Sequence, residues 1–211
     1  MLDIQTLTVG QLQTNCYLVS DTQSKETLII DPGDDGSFIG ETIVASHLKP
    51  IAICATHGHF DHVLSAFELQ HIFHIPFYVH PNDEFLLENM EKTAEYYLKI
   101  PIVELPPMPS KALQKKTSVP VGKYRFAIWQ TPGHTPGGVS FICEKEHCAF
   151  TGDTVFSHGA IGNFCHMYSN KEALLISVEK ILSLPKETLL YPGHGEKSTI
   201  NRERVAYNRK I

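Results

Sequence analysis

The chain has 211 residues, of which 42% are hydrophobic, and its 18 Lys and Arg against 23 Asp and Glu give a formal charge of −5. This composition is typical of a folded, water-soluble protein with a sizeable core. The acidic balance and the lack of a long basic run argue against nucleic acid or an anionic membrane as the main partner. No segment approaches the roughly 18 apolar residues of a membrane helix, and no basic or apolar leader opens the sequence, so we expect a cytoplasmic protein.

Cysteine and histidine usage indicates which kind of metal site the chain could form. The five cysteines are irregularly spaced and form no Cys-x-x-Cys pair, which argues against a disulfide framework and against a structural zinc site built on thiolates. Cys16 and Cys54 lie in apolar, strand-like runs, so we expect both to be buried. The 12 histidines are a high number for this length, and several of them are clustered.

The N-terminal half of the chain alternates between strand and helix patterns. Runs of aliphatic and β-branched residues predict strands, and apolar residues at helical spacing predict amphipathic helices. In chain order the predictions are strands at residues 4–9, 15–20 and 27–31, a helix at 37–48, a buried strand at 51–55, a helix at 62–73, a strand at 77–80, and a helical stretch with room for an interruption at 81–99.

The C-terminal half begins with a proline-rich segment, residues 100–120, that predicts a long surface connection. Beyond it the same patterns predict strands at 125–130, 139–143 and 148–151, a helix at 171–182, a strand at 189–191 and a terminal helix near 199–208. Strands with interspersed helices indicate sheets covered by helices, which is an α/β or α+β layered fold.

The segment His57-Gly58-His59-Phe60-Asp61-His62 carries four potential metal ligands directly after a predicted buried strand. Loops at strand ends commonly carry functional groups because the strand holds the loop in place. Imidazole and carboxylate ligands without a thiolate suit Zn²⁺, Mn²⁺ or Fe. Because four such close neighbours cannot all bind one ion without strain, the spacing favours two ions that share the cluster.

Three further motifs present one potential ligand each from the end of a predicted strand. His134 lies within the turn Pro132-Gly133-His134-Thr135-Pro136, Asp153 lies within Gly152-Asp153-Thr154, and His194 lies within Pro192-Gly193-His194. Glycine and proline beside each ligand allow a close approach of the backbone and stiffen the turn. The shared design predicts that these side chains converge with the first cluster.

These motifs, in this order, resemble the metallo-β-lactamase superfamily and, within it, the glyoxalase II (hydroxyacylglutathione hydrolase) branch. The resemblance extends from the strand before Asp31-Pro32-Gly33 to His194. It implies an α/β fold of the four-layer αβ/βα sandwich type, formed as a single domain over residues 1–211. It further implies that one metal ion is bound by His57, His59 and His134, that a second is bound by Asp61, His62 and His194, and that Asp153 bridges both.

The resemblance also implies a mechanism and cofactors. Two divalent transition-metal ions per chain are expected, with zinc favoured and iron or manganese as alternatives. Two ions about 3.5–4 Å apart lower the pKa of a shared water toward about 7, which makes hydroxide available to attack a carbonyl. Asp61 can orient this nucleophile as well as bind metal, so it is the candidate catalytic residue. The expected partner is a small-molecule thioester such as S-D-lactoylglutathione, whose thiolate leaves without a strong general acid.

Several other residues carry two interpretations. Asp31 is either a turn-forming residue or an outer carboxylate that orients a metal-bound histidine. Asn163 and His166 stand where relatives often have Gly-Arg-x-Asp, so they are candidates for substrate contact, and the missing arginine weakens the case for lactoylglutathione specificity. Only one helix is expected after His194, in place of a glutathione-binding helical domain, and its basic residues are alternative anchors: Lys197, Arg202 and Arg204. The remaining histidines are expected to be ordinary surface or core residues.

Competing functions remain open within this resemblance. A mononuclear iron persulfide dioxygenase, a lactonase and another ester hydrolase share the ligand pattern, and a metal-bearing redox module without hydrolytic activity is an alternative of a different class. An RNA-processing phosphodiesterase is disfavoured by the charge of −5 and by the lack of a basic or aromatic surface pattern. A secreted β-lactamase is disfavoured by the missing leader. The oligomeric state is left open.

Overall fold

The computed structural model describes residues 1–109 and 117–209, and within them two sheets lie between layers of helices. The first sheet has five strands in the spatial order β1-β2-β3-β4-β5. Strand β3 pairs antiparallel with β2 and parallel with β4, so the sheet is mixed. Its strands are β1 (Leu2–Val9), β2 (Thr14–Asp21), β3 (Glu26–Ile30), β4 (Lys49–Cys54) and β5 (Phe77–Tyr78).

The second sheet has six strands in the order β11-β10-β9-β8-β7-β6 and is also mixed, because β9 and β10 run parallel while the other neighbours are antiparallel. Its strands are β6 (Ser118–Val121), β7 (Tyr124–Gln130), β8 (Val139–Cys143), β9 (Cys148–Gly152), β10 (Leu189–Pro192) and β11 (Ser198–Thr199).

Helices cover the outer faces of both sheets. Against the first sheet pack residues of the helices α1 (Gly36–Ala45), α2 (Phe60–Val63), α3 (Ala66–Phe73), α4 (Glu84–Glu88) and α5 (Met90–Leu98). Against the second sheet pack residues of α6 (Lys171–Leu182) and α7 (Ile200–Asn208). No helix in the described parts of the chain is long and apolar enough to cross a membrane.

The alternation of side chains along the central strands explains the four layers. In β2, Cys16 and Leu18 pack in the core between the first sheet and its helices, whereas Tyr17 and Val19 pack in the core between the two sheets. Because both faces of the strand are covered, all of its residues are buried. Successive residues of a strand point to opposite faces, so one apolar run supplies two cores at once. Both cysteines expected to be buried, Cys16 and Cys54, are buried.

The predicted elements agree with the structure in type and order, with corrections at their ends. The helix predicted at 62–73 is two helices, α2 and α3, because the backbone N–H of Ser65 donates to Pro32 O instead of continuing the first helix. The helix predicted at 37–48 ends at Ala45, and His47 adopts a left-handed φ of 53°. The stretch predicted at 81–99 is a 3₁₀ turn at Pro81–Asp83 followed by α4 and α5.

Two short strands were not predicted. Strand β6 begins inside the segment 100–120 that was predicted to be a connection, and residues 110–116 of that segment lie outside the described residues. Pro120 within β6 is compatible with a strand because β6 is at the edge of the second sheet. Strand β11 is two residues long, and a stretch so short carries no periodicity that could be recognised.

Candidate metal centre

The predicted ligands come from loops and helix starts that follow the carboxyl ends of four strands. His57 and His59 follow β4, and Asp61 and His62 lie in α2, which begins immediately afterwards. The other three ligands follow strands of the second sheet: His134 follows β7, Asp153 follows β9 and His194 follows β10. The two sheets therefore deliver all seven side chains to one edge of the sandwich.

Three imidazoles form the first group of converging donor atoms. The Nδ1 atom of His59 lies 3.0 Å from Nε2 of His57 and 3.0 Å from Nε2 of His134. His57 and His134 are buried, and their rings meet edge to face, with centroids 4.9 Å apart. Three nitrogens this close without an intervening group suit a shared cation, and these three residues can hold a metal ion.

The second group combines a carboxylate with two imidazoles. Asp61 Oδ2 lies 3.6 Å from His62 Nε2 and 3.3 Å from His194 Nε2. The two imidazole Nε2 atoms are 3.3 Å apart. The donor set of this group, one oxygen and two nitrogens, also suits a divalent transition metal.

Asp153 lies between the two groups. Its Oδ1 is 3.5 Å from His62 Nε2, and its Oδ2 is 3.5 Å from His134 Nε2. Oδ1 is buried and has no hydrogen-bond partner among the described residues. The lack of a side chain at Gly193 leaves space for this carboxylate, since a Cβ at that position would be 2.3 Å from Oδ1. A buried carboxylate oxygen without a donor normally carries a large free-energy penalty, so the arrangement fits a metal ligand and the set as a whole fits two ions.

The second ring nitrogen of each of the five histidines contacts a polar group outside the cluster. Such contacts hold an imidazole in one orientation and direct its other nitrogen toward the metal. The contacts are His57 Nδ1 with Thr56 Oγ1 (3.1 Å), His59 Nε2 with the Tyr168 hydroxyl (2.8 Å), His62 Nδ1 with Asp31 Oδ2 (3.0 Å), His134 Nδ1 with Asn163 O (2.6 Å) and His194 Nδ1 with Leu12 O (3.1 Å).

The two groups differ in their electrostatics. Burial, reinforced by the neighbouring imidazoles, lowers the pKa of His57 and His59 well below the ordinary value, so both rings are neutral, as metal ligands must be. Burial also acts to lower the pKa of His62, but Asp61, Asp153 and Asp31 outweigh it and raise that pKa to about 10. The carboxylates around His62 thus stabilise a positive charge in the second group, which is also where a metal cation would bind.

Asp31 is buried and contacts the second group from outside. Its Oδ1 accepts the backbone N–H of Thr56 at 2.6 Å, and its Oδ2 accepts the Thr56 hydroxyl at 2.7 Å and faces His62 Nδ1. Asp31 also has a left-handed φ of 53° at the turn. The residue therefore lies in the turn and also contacts a histidine of the cluster.

An open cleft of about 270 Å³ lies over the cluster. Asn163 and His166, the candidates for substrate contact, line it. The Asn163 carboxamide oxygen accepts the backbone N–H of Cys165, so this side chain also shapes its own loop. The rest of the lining consists of candidate ligands, including Asp153, and of residues that were not singled out in the sequence: Leu12, Phe60, Thr93, Tyr97 and Tyr168.

Tyr168 is the main residue of the site that the sequence did not reveal. Its hydroxyl contacts His59, and its ring stacks on His166 with centroids 5.1 Å apart and an 8° interplanar angle. Burial raises the pKa of Tyr168 to about 12, so its hydroxyl is protonated at neutral pH. A tyrosine in a loop far from His59 in sequence carries no periodicity or motif that could have indicated this contact.

The alternative basic anchors lie elsewhere. Arg204 donates to the carbonyl oxygens of Leu182 and Leu184 at the end of α6. Lys197 and Arg202 line a separate groove beside α7 that shares no lining residue with the cleft. Among the described residues, no Lys or Arg lines the cleft.

The two-sheet sandwich with a His/Asp cluster at one edge places the chain in the class of metallo-hydrolases. The family model described as the metallo-beta-lactamase superfamily matches residues 9–194. The chain belongs to this superfamily, which confirms the resemblance and the fold class inferred from the motifs, and its His/Asp cluster is able to bind metal ions.

Relatives that align with the chain over more than nine-tenths of their length support this assignment. The probable metallo-hydrolase YqgX of Bacillus subtilis is 35% identical and aligns with 92% of this chain and 91% of its own. The hydroxyacylglutathione hydrolase GloC of Haemophilus influenzae is 31% identical, and the alignment covers 96% of this chain and 95% of the length of GloC.

Solved structures show the same fold. The crystal structure of the B3 metallo-beta-lactamase BLEG-1 has a TM-score of 0.84 at 31% identity and covers 96% of this chain and 97% of its own. The crystal structure of TTHA1623 in a di-iron-bound form has a TM-score of 0.83 at 32% identity, and the match covers 96% of this chain and 98% of TTHA1623.

Proposed function

We propose that the chain is a binuclear metal-dependent hydrolase of thioesters, similar in activity to hydroxyacylglutathione hydrolases. The observation that carries the proposal is Asp153, which lies between two groups of ligands and has a buried oxygen with no hydrogen-bond donor among the described residues. The relative GloC supports the choice of a thioester substrate. The metals are divalent transition ions, with zinc favoured and iron or manganese as alternatives.

Seven side chains would hold the two ions. His57, His59 and His134 would hold the first, Asp61, His62 and His194 the second, and Asp153 both. Two ions so held would supply hydroxide at neutral pH and polarise the carbonyl of the substrate.

The chain's own residues then orient the reaction. The described contacts of Asp61, with Thr14 Oγ1 and with both imidazoles of its group, all use Oδ2. This leaves Oδ1 to accept a hydrogen bond from the attacking water and to direct it toward the carbonyl carbon, so Asp61 is the proposed catalytic residue. His166 and Asn163 line the cleft and would contact the substrate beside the reacting bond. The departing thiolate is stable at neutral pH, so no side chain has to act as a strong general acid.

The lining of the cleft bears on the substrate. Phe60, Tyr97 and Tyr168 give it an aromatic wall, and no Lys or Arg among the described residues lines it. The two carboxylates of a glutathione thioester would therefore find no cationic partner in this lining. Charged contacts remote from the reacting bond normally supply binding energy that orients the substrate. Without them, we expect a higher KM for glutathione thioesters and a broader range of substrates.

Steady-state kinetics on a panel of thioesters tests this function. We expect lactoylglutathione to be hydrolysed with a high KM, and smaller or unrelated thioesters to have kcat/KM values within about one order of magnitude of it. Panel members should share one acyl group and differ only in their thiol, so that the contribution of the glutathione carboxylates is isolated. A low-micromolar KM for lactoylglutathione together with strong rejection of the other thioesters would contradict the substrate argument, and no hydrolysis of any thioester would contradict the proposed function.

A further inference from the structure

Asp83 is a buried carboxylate that none of the motifs includes. It ends the 3₁₀ turn Pro81–Asp83 between β5 and α4, and its side chain is fully excluded from solvent. It does not belong to either group of potential metal ligands. A buried carboxylate requires compensating hydrogen bonds, and the partners of Asp83 indicate its role.

The carboxylate of Asp83 joins the two loops that carry the first group of ligands. Its Oδ2 accepts the backbone N–H of Gly58 at 3.0 Å, between His57 and His59 in sequence. The same oxygen accepts the Thr135 hydroxyl at 2.7 Å, and Oδ1 accepts the backbone N–H of Gly137 at 2.6 Å. The loop after β4 and the loop after β7 are thus connected through one side chain.

The close approach of Asp83 also explains the glycines on both loops. A Cβ at Gly58 would be 2.8 Å from Asp83 O, and a Cβ at Gly137 would be 2.6 Å from Asp83 Cγ. A side chain at either position would push its loop away from the carboxylate. Gly58, in the middle of the first histidine motif, therefore allows the loop to approach Asp83.

We propose that Asp83 is a positioning residue that sets the spacing of His57, His59 and His134, and hence the affinity of the first metal site. The inference rests on the proposed metal-binding function, because the three histidines must be ligands for their spacing to matter. Asp83 would act through two backbone N–H groups and one hydroxyl of the ligand loops, and no contact with metal or substrate is proposed for it.

The variant Asp83→Asn tests the geometry with almost no change in size. The two backbone partners are N–H groups, which can donate a hydrogen bond but cannot accept one. In either orientation of the new side chain, its NH₂ group therefore faces a second donor, the N–H of Gly58 or that of Gly137. Thr135 can turn its hydroxyl to accept and is the one partner that adapts. We expect the affinity for the first ion to fall about tenfold, as for losses of other groups that orient ligands, while the second ion binds as in the parent.

The measurement is a titration of the metal-free protein with Co²⁺ in competition with a chelator, which reports the two binding steps and their absorption spectra separately. Glu203→Gln is the matched control, since Glu203 is also a buried carboxylate that accepts a backbone N–H, from Gly159, and a hydroxyl, from Ser198. It belongs to neither ligand group and should leave both Co²⁺ affinities unchanged.

Three outcomes would overturn the inference: parent-like affinity of Asp83→Asn for the first ion, an equal loss at both ions, or the same loss in Glu203→Gln. If Asp83→Asn does not fold, Thr135→Val is the second test, because it removes one of the three donors to Asp83. We expect its affinity for the first ion to fall about threefold, which is less than the effect expected for Asp83→Asn. An unchanged first site in Thr135→Val would then overturn the inference. A parent protein that binds no Co²⁺ would instead contradict the proposed function.

Discussion

Replacing Asp153 with alanine should lower thioester hydrolysis by about a hundredfold or more while the protein still folds. Loss of a group that only orients a metal ligand already costs about 10–100-fold, and Asp153 lies between both ligand groups, 3.5 Å from a nitrogen of each. Its removal should therefore disturb both ions and their separation. The measurement is kcat/KM on one thioester with metal in excess.

The stability of the metal-free protein is the control for this variant. In that state Asp153 Oδ1 accepts no hydrogen bond from the described residues, and Asp61 and Asp31 remain beside His62 to stabilise its charge, so removal of Asp153 should cost little. A change of about 1 kcal/mol corresponds to about 2–4 °C in Tm for a chain of this size, and we expect the Tm of the metal-free variant to stay within that range. Activity within tenfold of the parent, about 1.4 kcal/mol in barrier height, would show that Asp153 does not bridge the ions.

Asp31→Asn should weaken the second metal site about 10–100-fold. The carboxylate accepts the Thr56 backbone N–H at 2.6 Å and faces His62 Nδ1 at 3.0 Å, and each of these contacts uses a different oxygen. An asparagine can present an oxygen to only one of them, so His62 loses either its orientation or the support of its loop. The affinity for the second ion is measured by chelator competition.

The metal dependence of activity separates Asp31 from Asp153. Asp31 contacts a ligand, and no direct contact with an ion is proposed for it, so excess metal should restore most of the activity of Asp31→Asn. The same excess should not restore Asp153→Ala. If Asp31→Asn stays inactive at saturating metal, Asp31 has a direct part in the reaction, and if its metal affinity equals that of the parent, Asp31 is only a turn residue.

The sequence indicated the layers and the convergence of the candidate ligands because both depend on local patterns. An apolar run such as 51–55 predicts a strand buried on both faces, and the cluster from His57 to His62 follows it directly. Each remaining ligand is flanked by Gly or Pro at a strand end. Patterns of this kind predict where a side chain emerges from a sheet, and the order of the motifs supplied the family, which the comparisons confirm.

The features that sequence analysis missed depend on contacts between segments far apart in the chain. Tyr168 meets His59 across 109 positions, and Asp83 meets Gly137 across 54. Strand β6 is an exception, because it pairs with β7, its neighbour in the chain, and it was missed because Pro120 belongs to the proline-rich segment that was predicted to be a connection. The break between α2 and α3 depends on a hydrogen bond from Ser65 to Pro32. Such partners become visible only when the two sheets are assembled.

Metal counting during reconstitution tests the central claim most directly. Metal-free protein is loaded with increasing Zn²⁺, and the bound ions per chain and the rate of thioester hydrolysis are measured on the same samples. The account predicts that hydrolysis rises until two ions are bound per chain and that His194→Ala, which lacks one ligand of the second group, binds only one ion tightly. Full activity at one ion per chain, unaffected by His194→Ala, would contradict a binuclear centre and favour a mononuclear enzyme such as a persulfide dioxygenase.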